Sequence, residues 1–228
     1  MKFKGTLISE ASGSVGGLTF SHNRGGQYIR ARAVPVNGNT SYQQAVRGWF
    51  TTAVGAWTQT LTQANRDAWA AYADAVMIPD SLGEPRKLPP LAMFVRSMVS
   101  RAQAGQAIVP VGPAELELPT FSNPTFSFAV ATQKVSVGFI NTDAWAGEAG
   151  GFMLVYASKP TSKSINYFKG PYRYVGKITG ATPTPPTSPQ LFDPPSPFTA
   201  AQKMWAYVRV LRADGRLSGT FRGGAVPA

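Results

Sequence analysis

Between residues 43 and 105 apolar positions recur every three or four residues, the spacing of helices that bury one face. Three helices are predicted, and their expected starts are, in order, Gln43, Thr60 or Thr62, and Pro89 or Pro90. Gly105 is a natural stop for the third helix. The spacing therefore predicts a small helical region.

The third predicted helix has one apolar and one polar face. Its polar residues, Arg96, Ser97, Ser100 and Arg101, are expected to face away from the core. Large aromatic residues also follow the helical spacing, namely Trp49, Trp57, Trp69 and Tyr72. We expect these rings to form the seam between helices, although rings of this kind can also stack on nucleic-acid bases.

Two short alternating runs precede the helices, Val15 to Ser21 and Gln27 to Ala33, with a glycine-rich turn between them. This pattern predicts a β-hairpin within an N-terminal arm, residues 1–40. The arm has few apolar side chains, so we expect it to be mobile alone and ordered in an assembly. The residues predicted to bind a partner are Leu18, Phe20, Arg24, Tyr28, Ile29, Arg30 and Arg32.

After residue 112 the pattern changes to that of strands. The predicted strands are Thr125 to Ala131, Lys134 to Ile140, Phe152 to Ser158, Tyr172 to Ile178, Met204 to Leu211 and Leu217 to Phe221. Strands of this number with turns between them fit an immunoglobulin-like β-sandwich, and the run at 207–216 resembles the final hairpin of fibronectin type III domains. The predicted fold is thus α+β, with an arm (1–40), a helical region (41–112) and a sandwich domain (113–228).

The charge balance points to an anionic partner. The 228 residues include 22 Lys and Arg against 11 Asp and Glu, a net charge of +11 that is spread evenly along the chain. One run of bases has no acid within it and is a possible anion-binding site: Lys159, Lys163, Lys169, Arg173 and Lys177. Only 14% of residues are charged, which suits a surface largely covered by partners.

No pattern of catalytic residues is recognisable. There is no cysteine and His22 is the only histidine, so a metal site would need several carboxylates, none of which lies near it in sequence. The glycines at 13–17 lack the lysine and the following helix of a phosphate loop. We expect no enzymatic activity, no cofactor and no membrane segment.

Four stretches together resemble a group of phage- and prophage-encoded virion proteins. They are Gly-Gly-Gln-Tyr-Ile-Arg-Ala-Arg at 25–32, Asn-Gly-Asn-Thr at 37–40, Gln-Gln-Ala-Val-Arg at 43–47 and Leu-Thr-Gln-Ala-Asn-Arg-Asp-Ala-Trp at 61–69. The resemblance covers roughly residues 10–105, although Gly38 stands where proline is expected. It implies a structural role in the virion, as a minor capsid, decoration or head–tail connection protein. The implied partners are capsid or connector subunits and further copies of the chain. A basic protein that contacts the packaged genome remains the alternative.

Overall fold

A computed structural model describes residues 11–23, 26–79 and 83–227, and within them the chain is a mixed α+β protein, as predicted. The chain divides into two units, residues 1–41 and 42–228. The division falls next to the predicted end of the arm.

Residues 11–23 and 26–40 of the arm contain three antiparallel strands in the order β1-β2-β3. They are β1 (Gly13–Val15), β2 (Leu18–Asn23) and β3 (Gly26–Ala31). The β2-β3 pair is the predicted hairpin, with Phe20 opposite Ile29, whereas β1 is an additional strand that we did not predict. Residues 32–40 follow without regular structure and are exposed.

Three helices open the second unit, and a π-helical segment extends the first of them. They are α1 (Ser41–Gly55) with the π-helical segment Ala56–Thr60, α2 (Gln63–Ala75) and α3 (Pro90–Gln103). Thr62 caps α2, since its hydroxyl accepts the backbone N–H of Asn65 at 3.3 Å. Gly105 follows α3 with a φ of +72°, the left-handed conformation that favours glycine.

The helices share a hydrophobic core in which Trp69, Tyr72 and Phe94 are fully buried. Trp69 meets Phe94 edge-on, with ring centroids 5.3 Å apart. The predicted aromatic seam is therefore present, except at Trp49, which is half-buried and pairs edge-on with Tyr42 outside this core.

Between residues 76 and 227, apart from 80–82, the structure describes ten further strands, all in antiparallel pairs. Their bounds are β4 (Ile78–Pro79), β5 (Pro85–Arg86), β6 (Thr125–Ala129), β7 (Lys134–Gly138), β8 (Phe152–Ser158), β9 (Thr161–Ser162), β10 (Tyr172–Thr179), β11 (Gln190–Phe192), β12 (Gln202–Leu211) and β13 (Phe221–Ala225). One sheet has the order β11-β7-β6, and the other has the order β10-β8-β12-β13 with β9 also paired to β12. Side chains from both of these sheets meet in one hydrophobic core.

The final strand begins later than predicted, at Phe221 instead of Leu217. Leu217 makes only an isolated bridge to Leu211, and the next residue bonds to the backbone of Val210 through both its own backbone N–H and its side-chain hydroxyl. The Ser218 hydroxyl thus takes the place of a backbone partner and interrupts the ladder before β13 begins.

The central strand β12 contributes side chains to a hydrophobic cluster on each of its faces. Met204, Ala206 and Val208 belong to the core between the two sheets, whereas Leu211 belongs to a separate cluster that includes Ala104, the residue that follows α3. This division matches the alternation in the sequence and explains why β12 has few exposed positions.

The polar face of α3 does not face solvent, contrary to expectation. Arg96 donates to the carbonyls of Leu217 and Ser218, both at 2.8 Å, and Ser97 is fully buried. Arg101 donates to the carbonyls of Ala107, Arg212 and Ala213 at 2.9, 3.2 and 3.1 Å. Periodicity alone predicts that this polar stripe is solvated, because it does not reveal that backbone carbonyls of another element accept hydrogen bonds from the stripe.

The segment between the helices and the sheets is fixed at several points. The indole N–H of Trp69 donates to the carbonyl of Pro110 at 3.3 Å. A Cβ at Gly112 would lie 2.6 Å from that of Ala68, so only glycine fits there. Arg216, 3% exposed, pairs with the carboxylate of Glu115 at 2.5 Å. The segment is therefore held in place although it contains no helix or strand.

Replacing Arg101 with methionine tests these contacts, because methionine keeps much of the side-chain volume and removes three hydrogen bonds. We expect Arg101→Met to lower the free energy of unfolding by about 2–4 kcal/mol, measured by urea unfolding, since bonds from charged donors contribute about 1.5–3 kcal/mol each and some are replaced by water. The matched control, Arg86→Met on exposed β5, should change it by less than about 0.5 kcal/mol. Equal changes in the free energy of unfolding for the two substitutions would show that the hydrogen bonds of Arg101 do not stabilise the fold.

Candidate functional site

The structure divides the predicted partner-binding residues of the arm between two faces. Leu18, Phe20 and Ile29 lie on one face because Phe20 pairs with Ile29 and β2 alternates. Tyr28 and Arg30 lie on the other face, opposite Ser21 and Thr19.

The remaining arm residues in the prediction are Arg32 and Arg24. Arg32 is exposed and extends the alternation of β3, since its backbone N–H donates to the carbonyl of Gly17 at 2.8 Å. Arg24 lies outside the described residues. Within the described part of the arm, β1 and β3 are the outer strands of the sheet. Such edges present backbone groups that can pair with a further strand.

The predicted run of bases is not one continuous patch. Arg173 pairs with Ala157 and Lys177 pairs with Leu154, and an irregularity between Tyr174 and Gly176 puts these two bases on opposite faces of the sheet. The ammonium of Lys177 donates to the carbonyl of Ala104, the residue after α3, and lies 4.8 Å from the centre of the Phe152 ring. The other three bases, Lys159, Lys163 and Lys169, are exposed near β8, β9 and β10. Anion binding by this run stays a prediction, and Lys177 already has a structural role.

A row of tyrosines crosses the larger sheet and was not anticipated from the sequence. Tyr174 on β10 lies opposite Tyr156 on β8, which lies opposite Tyr207 on β12, and Arg222 on β13 continues the line. We call Tyr174, Tyr156 and Tyr207 the tyrosine row. The rings of Tyr156 and Tyr207 stack with centroids 4.3 Å apart and planes within 9° of parallel. Tyr174 meets Tyr156 edge-on at 5.4 Å.

The end of α3 borders this row. The hydroxyl of Tyr156 donates to the side-chain carbonyl of Gln103, whose amide in turn donates to the hydroxyl of Tyr42 at 2.9 Å. Tyr156 is 9% exposed, whereas Tyr174 and Tyr207 are half-buried. The helix terminus therefore covers Tyr156, in the middle of the row, and leaves Tyr174 and Tyr207 on either side of it partly exposed.

Burial dominates the electrostatics of these rings. Desolvation raises the pKa of Tyr156, Tyr174 and Tyr207, although nearby Arg209 opposes the rise at Tyr156 and Tyr207. Burial also lowers the pKa of Arg96, and together with the like charge of Arg209 it brings this pKa to about 10. The Nε of Arg209 is buried and has no hydrogen-bond partner. Two like-charged guanidinium groups thus interact beside the row.

An apolar groove lies between α1 and α3. It measures about 550 Å³ and is lined largely by Phe50, Val54, Leu91 and Val95. Phe50 is 53% exposed although the helical spacing places it on the apolar face of α1. The groove contains no cluster of titratable groups.

Carboxylates in the described part of the chain serve mainly as structural partners. Asp143 accepts the hydroxyl of Ser122 at 2.8 Å, Glu148 pairs with Arg212, and Asp214 pairs with Arg216 at 2.7 Å. Among residues 11–23, 26–79 and 83–227, no group of three or more His, Asp or Glu is placed to hold a metal ion. Nor is any helix in these ranges long and apolar enough to span a bilayer.

Comparison of the chain with models of protein families, with characterised proteins and with solved structures gives no match. The site must therefore be interpreted from its own geometry. The alternation of Tyr172 with Tyr174, and of Trp205 with Tyr207, could have drawn attention to these strands, but only the register shows that the rings are neighbours.

Alkaline pH should destabilise the protein through its buried tyrosines. Burial raises the pKa of Tyr72 from 10.0 to about 12, so the folded state retains a proton that the unfolded state has lost. The resulting contribution to stability is fully present below pH 10 and is lost as the pH rises toward about 12. Unfolding by urea at pH 8 and at pH 11 should show a lower free energy of unfolding at the higher pH.

Two variants separate Tyr72 from the other tyrosines. The Tyr72 hydroxyl is buried without a hydrogen-bond partner, so Tyr72→Phe should leave stability at neutral pH unchanged or higher and reduce the alkaline loss. Tyr167→Phe, at a ring that is 69% exposed, should leave the loss as it is. A Tyr72→Phe variant as sensitive to alkali as the parent would contradict this assignment.

Proposed function

We propose that this chain is a non-enzymatic structural component of a bacteriophage particle, a minor capsid, decoration or head–tail connection protein. The observation that supports this most is the arm, which forms a unit separate from the rest of the chain. In the described part of the arm, β1 and β3 are outer strands, and the side chains include exposed apolar residues such as Val15 and Leu18, 73% and 47% exposed. A small sheet of this kind suits the addition of strands from another protein.

The segment after the arm supports the same function. Val34 and Val36 are 77% and 93% exposed in a stretch without regular structure. Exposed apolar residues in an extended segment are favourable where a neighbouring subunit covers them. The resemblance of residues 10–105 to virion proteins is in keeping with this use.

We also propose that residues 113–228 are an immunoglobulin-like sandwich of the kind that serves as a binding or spacing module. Two antiparallel sheets share one core, and the connections β7 to β8 and β10 to β11 each cross from one sheet to the other. Crossings between antiparallel sheets are typical of Greek-key sandwiches. The short strand β11, in the proline-rich stretch, lies at a sheet edge where prolines are tolerated.

The proposal is tested by incorporation into particles. Mass spectrometry of purified particles should find the chain at a fixed copy number. A variant lacking residues 1–40 should remain folded, because those residues all belong to the separate first unit, and should no longer join the particle. Circular dichroism of the truncated protein provides the folding control. Normal incorporation of the truncated chain would show that the arm is not the anchor, and absence of the full chain from particles would refute the function.

Contact with the packaged genome is the second candidate, favoured by the charge of +11 and by the arginines of the arm. Phosphate contacts release counterions, so affinity for DNA should fall steeply between about 50 and 200 mM salt. Fluorescence anisotropy with a labelled duplex measures this fall. Weak binding even at low salt would remove the candidate.

A further inference from the structure

We propose that the tyrosine row, with Arg209 and Arg222 beside it, is a docking surface for an acidic segment of a partner protein. This inference rests on the proposed function in one respect, since the partner would be another subunit of the particle. It goes beyond the proposed function by naming a second binding surface, on the larger sheet instead of the arm, and the chemistry of the partner that binds there.

Charge is the first argument. The five strands of the larger sheet contain no aspartate or glutamate, and the chain has no acid at 149–192, 194–213 or 215–228. Arg209 follows Tyr207 by two positions and so shares its face, and Arg222 lies directly opposite Tyr207. Arg222 is exposed and can pair with a carboxylate from outside, whereas the buried Nε of Arg209, which has no hydrogen-bond partner, adds positive charge beneath the surface. Carboxylates from outside would supply the missing counter-charge.

The orientation of the rings decides between two kinds of anion. Tyr156 and Tyr207 stack on each other, so their facing ring surfaces are already occupied. Trp205 likewise stacks against Phe168 at 6.3 Å and has the ammonium of Lys203 4.6 Å from its ring centre. Nucleic-acid bases need open ring faces for stacking. Ring edges, which are electropositive, and phenol hydroxyls instead suit carboxylates and peptide carbonyls.

Burial leaves the right groups accessible. Tyr207 and Tyr174 are half-buried, so part of each ring still meets solvent. The described structure gives neither hydroxyl a hydrogen-bond partner, whereas that of Tyr156 is bonded to Gln103. Half-buried tyrosines flanked by arginine match the composition of residues that dominate protein–protein binding.

The chain itself is a poor occupant of this surface. Its arm carries Arg30 and Arg32, and a second copy brings a net charge of +11. Both would add positive charge to a surface that already contains unpaired bases. The surface therefore fits a different, acidic chain.

The test uses the full-length protein and two defined probes, a deca-glutamate peptide and decathymidylate. Tyr207→Phe removes a hydroxyl and keeps the ring stack, and Arg222→Ala removes the exposed guanidinium. Calorimetry at about 50 mM salt should show that each substitution weakens peptide binding about three- to fivefold, the range of a partly exposed polar contact. Tyr167→Phe and Arg86→Ala, both exposed and outside the row, are the matched controls and should bind the peptide like the parent.

Each result decides the question. Selective loss of peptide affinity in the two row variants, with weaker binding of decathymidylate, would support the inference. Equal losses in the controls would show general attraction to a basic protein, and tighter decathymidylate binding that depends on Tyr207 would show a nucleic-acid surface; either overturns it. The peptide measurement involves no particle, so it is independent of the proposed function. If the peptide binds as expected but the chain is absent from particles, only the proposed function is refuted. If the chain is in particles but the row variants bind the peptide like the parent, only this inference is refuted.

Discussion

Arginine side chains of α3 hold the helical layer on the sheet by donating to backbone carbonyls, and the architecture of residues 42–227 depends on these bonds. The carbonyls of Leu217 and Ser218 are available because β13 starts only at Phe221. Burying a guanidinium is costly, as the lowered pKa of Arg96 indicates, and only several good acceptors offset that cost. The late start of the last strand thus supplies the carbonyl acceptors that the polar stripe of α3 needs.

The same interaction fixes how much of the larger sheet stays uncovered. Ala104, which follows α3, packs with Phe152 and Leu211, and the Lys177 ammonium caps its carbonyl. Beside it, Gln103 reaches over the sheet to the hydroxyl of Tyr156 and also bonds to Tyr42 of α1. The length of α3 therefore decides that Leu154 and Leu211 are buried while Tyr174 and Tyr207 are only half-buried.

Local patterns in the sequence predict the elements well where one face of the element is apolar. The cap at Thr62, the stop at Gly105 and the two faces of β12 all follow from spacing and residue type. The expected solvation of Arg101 is wrong because its partners are carbonyls more than a hundred positions away, a relation that periodicity does not contain.

The candidate site was harder to predict than the fold, for a related reason. The basic run was identified by its order in the sequence, but a strand irregularity turns Arg173 and Lys177 to opposite faces. The tyrosine row joins residues from three strands, and its existence depends on register, which local spacing leaves open. Sequence separation thus hides the surface where the stacked rings of Tyr156 and Tyr207 lie beside Arg222.

The distribution of acidic residues leaves this surface positively charged. Glu115, Glu148 and Asp214 pair with arginines that tie the connecting segment and the last hairpin to the sheets. Because these carboxylates already pair with Arg212 and Arg216, they do not balance the bases on the open face of the larger sheet. Its strands contribute Arg209 and Arg222 without any acid. A fold stabilised in this way keeps a positive surface whatever its surroundings, and it gains most from association where a neighbour supplies the negative charge.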